Sequence, residues 1–450
     1  MENAIKDWRG RSYLPGPVPP DRTRMFRLAL ASMAVISPLQ YGFAALLTRE
    51  SGGLTLLAVW IACQAVGALP ALHFVRRRRL SVRASLAAGG VLSGLGLATA
   101  ALTAGSGALN ALTSDAGAPN ALASTGGLLA LIGYALLGGL GAGLVYGVCG
   151  EVVSSWYPER PAARVGLITG AFGYGAVPLL LWAGIAPGAT PAAFLVCAAL
   201  AVAVVATAAR HLRLPPPLWW PDDVDPRGHA LDAARLRTSP EAVKQFGLAQ
   251  ALRTRALPAL ALLLICAGAV SVFDVIVVAA TGSWGALALL VALNGAGRSA
   301  AMRAAELFGR RRVLAAVFSS LALGQVLLAM AVQNGPAAET AAGMAAAGGV
   351  TAVSGPLLWL GAVAAGLGSG AFYPLLASLV RELFGAERAT EIHAVVYSAK
   401  AVAGIVAVTL AFTALTAPGP ALLAAAALAA LPALATPRLR IPGLPATIPL

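Results

Sequence analysis

Apolar runs of about eighteen residues or more recur along the whole chain, separated by short polar segments. Each is long enough to cross a hydrocarbon core about 30 Å thick at about 1.5 Å per helical residue. The pattern predicts membrane helices over 25–48, 54–75, 82–104, 127–153, 165–186 and 191–210. A second set follows a hydrophilic connector, over 256–280, 283–306, 312–333, 356–381, 391–415 and 419–436. The expected architecture is an all-α membrane protein of twelve transmembrane helices in two pseudo-symmetric six-helix bundles. Residues 1–24 form an N-terminal tail, 25–210 the first bundle, 211–255 the connector, 256–436 the second bundle and 437–450 a C-terminal tail.

Composition excludes a soluble globule. Of 450 residues, 58% are hydrophobic and 11% charged, against about 25% charged in an ordinary soluble domain. The net charge of +14 could point to nucleic acid, but 29 of the 32 basic residues fall at the two termini, in the connector and in the loops on the same side. Arg49 alone lies on the opposite side, and Arg298 and Lys400 lie inside spans. This asymmetry places both termini and the connector in the cytoplasm. It also accounts for the basic charge, so no nucleic-acid partner is expected. The four cysteines sit inside apolar runs with no metal-ligand spacing and read as packing residues. The polar, proline-rich first two dozen residues do not form a cleavable signal, so span one is expected to be retained. An Ala, Gly and Arg-rich, Lys-poor chain suggests a GC-rich bacterial source and hence the inner membrane.

An internal repeat relates the halves. Gly139-Leu-Gly-Ala-Gly-Leu-Val-Tyr146 in span four matches Gly366-Leu-Gly-Ser-Gly-Ala-Phe-Tyr373 in span ten, and Glu159-Arg160 and Glu387-Arg388 follow at corresponding places. Parallel six-span halves related by an axis along the membrane normal describe transporters with a midplane site between them. Close packing of small residues is the alternative explanation for the glycines.

Arg298 and Lys400 carry the candidate chemistry. They lie at matching depth in spans eight and eleven, where a cation costs about 3 kcal/mol or more and normally faces a polar interior with a partner. Glu151, near the end of span four, and Asp274, toward the outer end of span seven, are the available acids, and neither matches that depth well. If no side chain neutralises the pair, a substrate anion does, and a planar guanidinium beside an ammonium suits a dicarboxylate or two acidic oxygens. Pairing with Glu151, Asp274 or helix carbonyls is the structural alternative. His393, Tyr397, Lys400 and Gly404 fall on one helical stripe. Tyr397 is expected to border the site, and His393 to be an interfacial polar residue. Gln40 and Tyr41 put an amide and a phenol into span one beside Pro38, but adjacent residues on a helix cannot both face one direction. Asp274 and Glu151 are candidate proton carriers. Phosphate loops, zinc spacings and nucleophile–base pairs are not apparent, so neither a cofactor, a metal nor an enzymatic activity is expected.

These residues resemble those of the major facilitator superfamily, and within it the oxalate:formate antiporter family. The resemblance rests on Gly141-Ala-Gly-Leu-Val-Tyr146, Trp156-Tyr-Pro-Glu-Arg160 and Gly170-Ala-Phe-Gly-Tyr-Gly175, with Asn294-Gly-Ala-Gly-Arg298, Tyr397-Ser-Ala-Lys400 and Pro38-Leu-Gln40-Tyr41. It implies that Arg298 and Lys400 bind the dicarboxylate and that Gln40, Tyr41, Tyr146, Tyr373 and Tyr397 enclose it. Ser369 and Phe172 depart from that family's pattern, as does Ala71 at the usual aspartate position before Arg76 to Arg79, while Glu306 takes that place after span eight. The first two departures imply a roomier pocket, the third different gating contacts. The combined expectation is an alternating-access exchanger of small organic carboxylates, in contact with membrane lipid. Proton-coupled monocarboxylate symport, export of a larger metabolite or drug, and a non-transporting membrane sensor are the alternatives.

Overall fold

A computed structural model describes residues 4–8, 10–42, 51–75, 77–105, 125–235, 242, 244–334 and 355–443. Arg49, Arg76 and the expected end of span one at 43–48 lie outside them. Among the described residues, eleven helices are long and apolar enough to cross a membrane, and the chain is a mostly helical, multi-pass membrane protein. Spans two to six are built on Ser51–Pro70 with Ala71–Val75, Val82–Gly105, Thr125–Leu129 continuing to Trp156, Pro161–Tyr174 with Val177–Ile185, and Thr190–His211. Spans seven to twelve are Ala256–Ala280, Trp284–Phe308, Arg310–Asn334, Pro356–Phe384, Ala389–Ser398 with Lys400–Thr416, and Pro418–Ala435.

Span one is the exception to the regular pattern. Its helix runs over Arg22–Val35 and tightens into a 3-10 turn over Ser37–Leu39. Pro38 sits in that turn, where its missing N–H removes a helical hydrogen bond. Residues 40 to 42 therefore leave the ideal helical track, which matters for the site.

Within the first half, span four packs on spans two and three, and span three on span six. In the second half, span ten packs on spans eight and nine, and span seven on span eleven. The halves meet where span five crosses span eight and span two crosses span eleven. The repeated glycines allow the first set of contacts. A Cβ on Gly143 of span four would lie 2.3 Å from the Gln64 carbonyl oxygen on span two, and one on Gly370 of span ten 2.2 Å from that of Asn294 on span eight. Both are sterically impossible, so the two motifs perform the same packing task in each half.

The hydrophilic connector contains regular structure of its own. Strands β1 (Ile5–Lys6) and β2 (Ser12–Gly16) form an antiparallel hairpin from the N-terminal tail, and β3 (Trp219–Pro221) of the connector adds in parallel to β2. The prolines at 215–217 keep this stretch out of a helix and leave it extended for pairing. Trp219 packs edge-on against Trp156 and Trp220 against Tyr13, each with ring centroids 4.9 Å apart. Trp156 Nε1 also donates to the Arg213 carbonyl at 2.6 Å. Burial, then the neighbouring Asp7 carboxylate, push the Tyr13 phenol above its ordinary range. Short helices over Pro226–Arg235 and Leu248–Leu252 complete the segment. At its far end the Phe246 N–H donates to the Phe384 carbonyl at 2.9 Å, tying the connector to span ten.

This connector-side face is held by ion pairs. Arg22 meets Glu159, Arg310 meets Glu382 at 2.9 Å, and Arg213 meets Asp21 at 3.1 Å. Arg77, just after span two, pairs with Glu391 at the start of span eleven and so bridges the two halves.

Candidate functional site

Arg298 and Lys400 both emerge from the second half, ten residues before the end of span eight at Phe308 and eleven after the start of span eleven at Ala389. At about 1.5 Å per residue they lie some 15 Å from the connector face. Both are buried, at 2% and 3% exposure. Span eleven breaks its helix between Ser398 and Lys400, so the ammonium begins a fresh helical segment.

The acceptors come mainly from the first half. Arg298 donates from Nη1 to the Thr169 carbonyl on span five at 2.9 Å, and from Nη2 to the Tyr41 hydroxyl at 3.3 Å and to Asn294 Oδ1, one turn away on its own helix, at 2.9 Å. Lys400 Nζ donates to Gln40 Oε1 at 3.3 Å and to Gln64 Oε1. Among the described residues no carboxylate bonds to either cation, so of the alternative partners only a helix carbonyl, that of Thr169, is found. Glu151 Oε1 accepts from Ser155 at 3.5 Å near the end of span four. Asp274 Oδ1 accepts from Gln325 Nε2 on span nine.

Gln40 and Tyr41 both reach the site, although as adjacent residues they do not face one direction. The turn at Pro38 changes their orientation, and the two side chains serve different poles: Gln40 the ammonium, Tyr41 the guanidinium. Tyr41 also donates to Asn294 Oδ1 at 3.3 Å.

Aromatic rings connect the poles. Tyr146 stacks on Tyr397 at 5.7 Å, Phe172 stands edge-on to Tyr41 and Tyr146 at 5.7 and 5.8 Å, and Tyr373 lies 6.4 Å from Tyr397. The Tyr373 ring is shared by the two cations, 5.4 Å from the Arg298 guanidinium carbon and 5.5 Å from Lys400 Nζ. Rings at this distance attract cations through their quadrupole. The structure thus brings Arg298, Lys400, Gln40, Tyr41, Tyr146, Tyr373 and Tyr397 together and leaves Asp274 and Glu151 apart. His393 is half-buried one turn from Tyr397, its ring 5.9 Å away, and touches neither cation.

Four members were not singled out as site residues from sequence: Gln64, Asn294, Thr169 and Phe172. Gln64 offered a signal, an amide in an otherwise apolar stretch of span two. Asn294 lay within the motif around Arg298, while Thr169 contributes only its carbonyl, which no side-chain pattern reveals. Ser369, expected to widen the pocket, accepts from Asn294 Nδ2 at 2.8 Å and so fixes the amide whose oxygen faces Arg298.

Two donors here have no partner among the described residues: Arg298 Nε and Gln64 Nε2 are both buried. A buried polar group without a hydrogen bond is costly. The described residues contain no group of three His, Cys, Asp or Glu side chains able to hold a metal ion. Chemically the arrangement offers positive charge, unfilled N–H donors and aromatic walls, with negative charge supplied by none of its own bonded partners.

Neither a family model nor a curated protein sequence matches the chain. Among solved structures it is similar to the nucleoside transporter NupG, with 13% identity, a TM-score of 0.58, and 93% of this chain and 99% of that one covered. It is likewise similar to a D-xylose-proton symporter, with 16% identity, a TM-score of 0.56, and 93% and 97% covered. Likeness over nearly the full length of both shows that this chain has the major facilitator fold.

Proposed function

We propose that the chain is a secondary active transporter of small organic carboxylates, exchanging anions of the oxalate/formate type by alternating access. The observation that carries the proposal is the pair of buried cations, Arg298 and Lys400, bonded only to neutral oxygens beside the partnerless donors Arg298 Nε and Gln64 Nε2. A carboxylate entering between them meets a planar fork on one side and a compact ammonium on the other. The same fold in the solved transporters supports the transport reading.

In this reading the first half supplies stand-in acceptors. Gln40 and Gln64 satisfy Lys400, and Tyr41 and the Thr169 carbonyl satisfy Arg298, until substrate replaces them. A bound dicarboxylate offsets both like charges, and a monocarboxylate one of them, before the halves close, which favours exchange over return of an empty site. Tyr146, Tyr373 and Tyr397 wall the anion and exclude water. The protein works in the inner membrane of a bacterium with both termini and the connector in the cytoplasm, as the distribution of basic residues supports.

Counterflow in proteoliposomes tests the proposal, with unlabelled carboxylate inside and labelled oxalate, formate, lactate and larger diacids outside. Trans-stimulated uptake of a carboxylate that persists without a pH gradient is expected. Flux of no carboxylate overturns the substrate class, and uptake only under a proton gradient overturns exchange.

A further inference from the structure

Asp274 and Gln325 lie outside the two-cation site and have no role in it. Asp274 is eighteen residues into span seven and Gln325 fifteen into span nine, both farther from the connector face than Arg298 and Lys400. Each is fully buried. Gln325 Nε2 donates to Asp274 Oδ1, and the remaining oxygens of both groups, Asp274 Oδ2 and Gln325 Oε1, have no hydrogen-bond partner among the described residues.

Two unpartnered oxygens in one buried contact are two acceptors facing a missing donor. A carboxylate there would be an ion without a counter-charge. Among the ionisable side chains on the helices packed against span seven, Arg298, Lys400, Tyr373 and Tyr397 belong to the two-cation site. Arg303, Glu306, Arg310, Arg381, Glu382, Glu391 and His393 lie toward the connector face, with the other basic residues that begin span nine, and span twelve has no ionisable side chain. None bonds to Asp274. A buried ion without such compensation is the arrangement that proteins avoid by neutralisation.

We propose that Asp274 and Gln325 form a proton-binding site between spans seven and nine, in which the acid Oδ2–H donates to Gln325 Oε1 while Oδ1 accepts from Gln325 Nε2. One proton satisfies both unpartnered oxygens, and the pair becomes a neutral acid–amide couple closed by two hydrogen bonds. The balance is simple: the carboxylate takes one proton from solvent, the buried charge goes from minus one to zero, and no other bond changes. The site does not rest on the carboxylate reading, since it involves neither cation and needs no substrate.

Infrared spectroscopy of the purified full chain in lipid vesicles at neutral pH, without substrate, tests it. Asp274 is the one aspartate within the twelve expected spans, so labelling aspartate with 13C at the side-chain carboxyl identifies its band without mutation. A labelled, hydrogen-bonded carboxylic acid C=O band that responds to D2O is expected, and labelled carboxylate bands alone overturn the proposal. In Asp274→Asn the acid band should disappear while the protein folds normally, because the amide N–H takes the place of the O–H. Gln325→Leu keeps the acid and removes its partner, so the acid band should shift. A band retained in Asp274→Asn, or unmoved in Gln325→Leu, also overturns the site.

Discussion

Cations at the connector face and cations at the midplane are treated differently by this molecule. At the face, Arg22, Arg77, Arg213 and Arg310 each meet a carboxylate. At the midplane, Arg298 and Lys400 meet amides, a phenol and a carbonyl. Of the face pairs Arg213–Asp21 is the largely exposed one, and such a pair contributes about 0–1 kcal/mol, whereas a buried cation without an acid is costly to keep. A structure that gives its face cations an acid and its two midplane cations none has kept its midplane charge available. The halves divide the work: the second carries both cations, and the first contributes neutral acceptors.

Removing either midplane cation should have the largest effect. Arg298→Ala and Lys400→Ala should each lower trans-stimulated carboxylate uptake by about 100-fold or more, the scale of about 3 kcal/mol for truncating a buried charged contact. Size-exclusion profiles should match the wild type. Exchange retained by both variants would remove the site.

Supplying the missing acid sharpens the comparison. Gln64→Glu puts a carboxylate against Lys400, and the internal pair should compete with substrate, weakening half-saturation in counterflow by about 10-fold, or about 1.4 kcal/mol. An unchanged half-saturation would mean that the ammonium does not bind the anion.

A smaller effect is expected at the face. Arg77 and Glu391 join the halves with side chains 36% and 11% exposed, so their contribution to holding this side closed should be at most about 1 kcal/mol. Arg77→Ala should raise labelling of a cysteine introduced between the halves on this face by about fivefold or less. High salt should reproduce part of the rise in the wild type.

The smallest lies in the connector, at Asp225. Its carboxylate accepts from the N–H groups of Gly228 and Arg227, which hold its acidity below the ordinary aspartate value. Such a group stabilises above the unfolded value, and the contribution is lost as pH falls through the folded one. Hydrogen exchange at the Arg227 and Gly228 amides should therefore speed up on acidification beyond the intrinsic rate change, and Asp225→Ala should remove that dependence.

The spans were legible because a membrane helix is specified by length and apolarity alone, with every backbone hydrogen bond made inside the segment. Span seven, expected over 256–280, is a helix over Ala256–Ala280. The tail and connector were not legible as a sheet. Pairing between β2 and β3 joins segments about 200 residues apart, and neither a proline-rich tail nor a Trp-Trp-Pro stretch contains its partner. Arg298 and Lys400 stood out because charge inside an apolar run is conspicuous in one dimension. Gln64 did not, because a neutral amide becomes informative only once an ammonium is seen against it.

By itself the sequence determined a multi-pass helical membrane protein, the related glycine motifs of its halves and the two cations at matching depth. All of these are local properties of composition and period. Tertiary structure decided which groups meet those charges. The turn at Pro38 sends Gln40 and Tyr41 to different cations, spans two and five bring acceptors across from the opposite half, and Asp274 is taken by Gln325 rather than by a cation. The physical reason is that helix formation is settled within one segment, whereas neutralising a buried charge depends on which other helices pack against it.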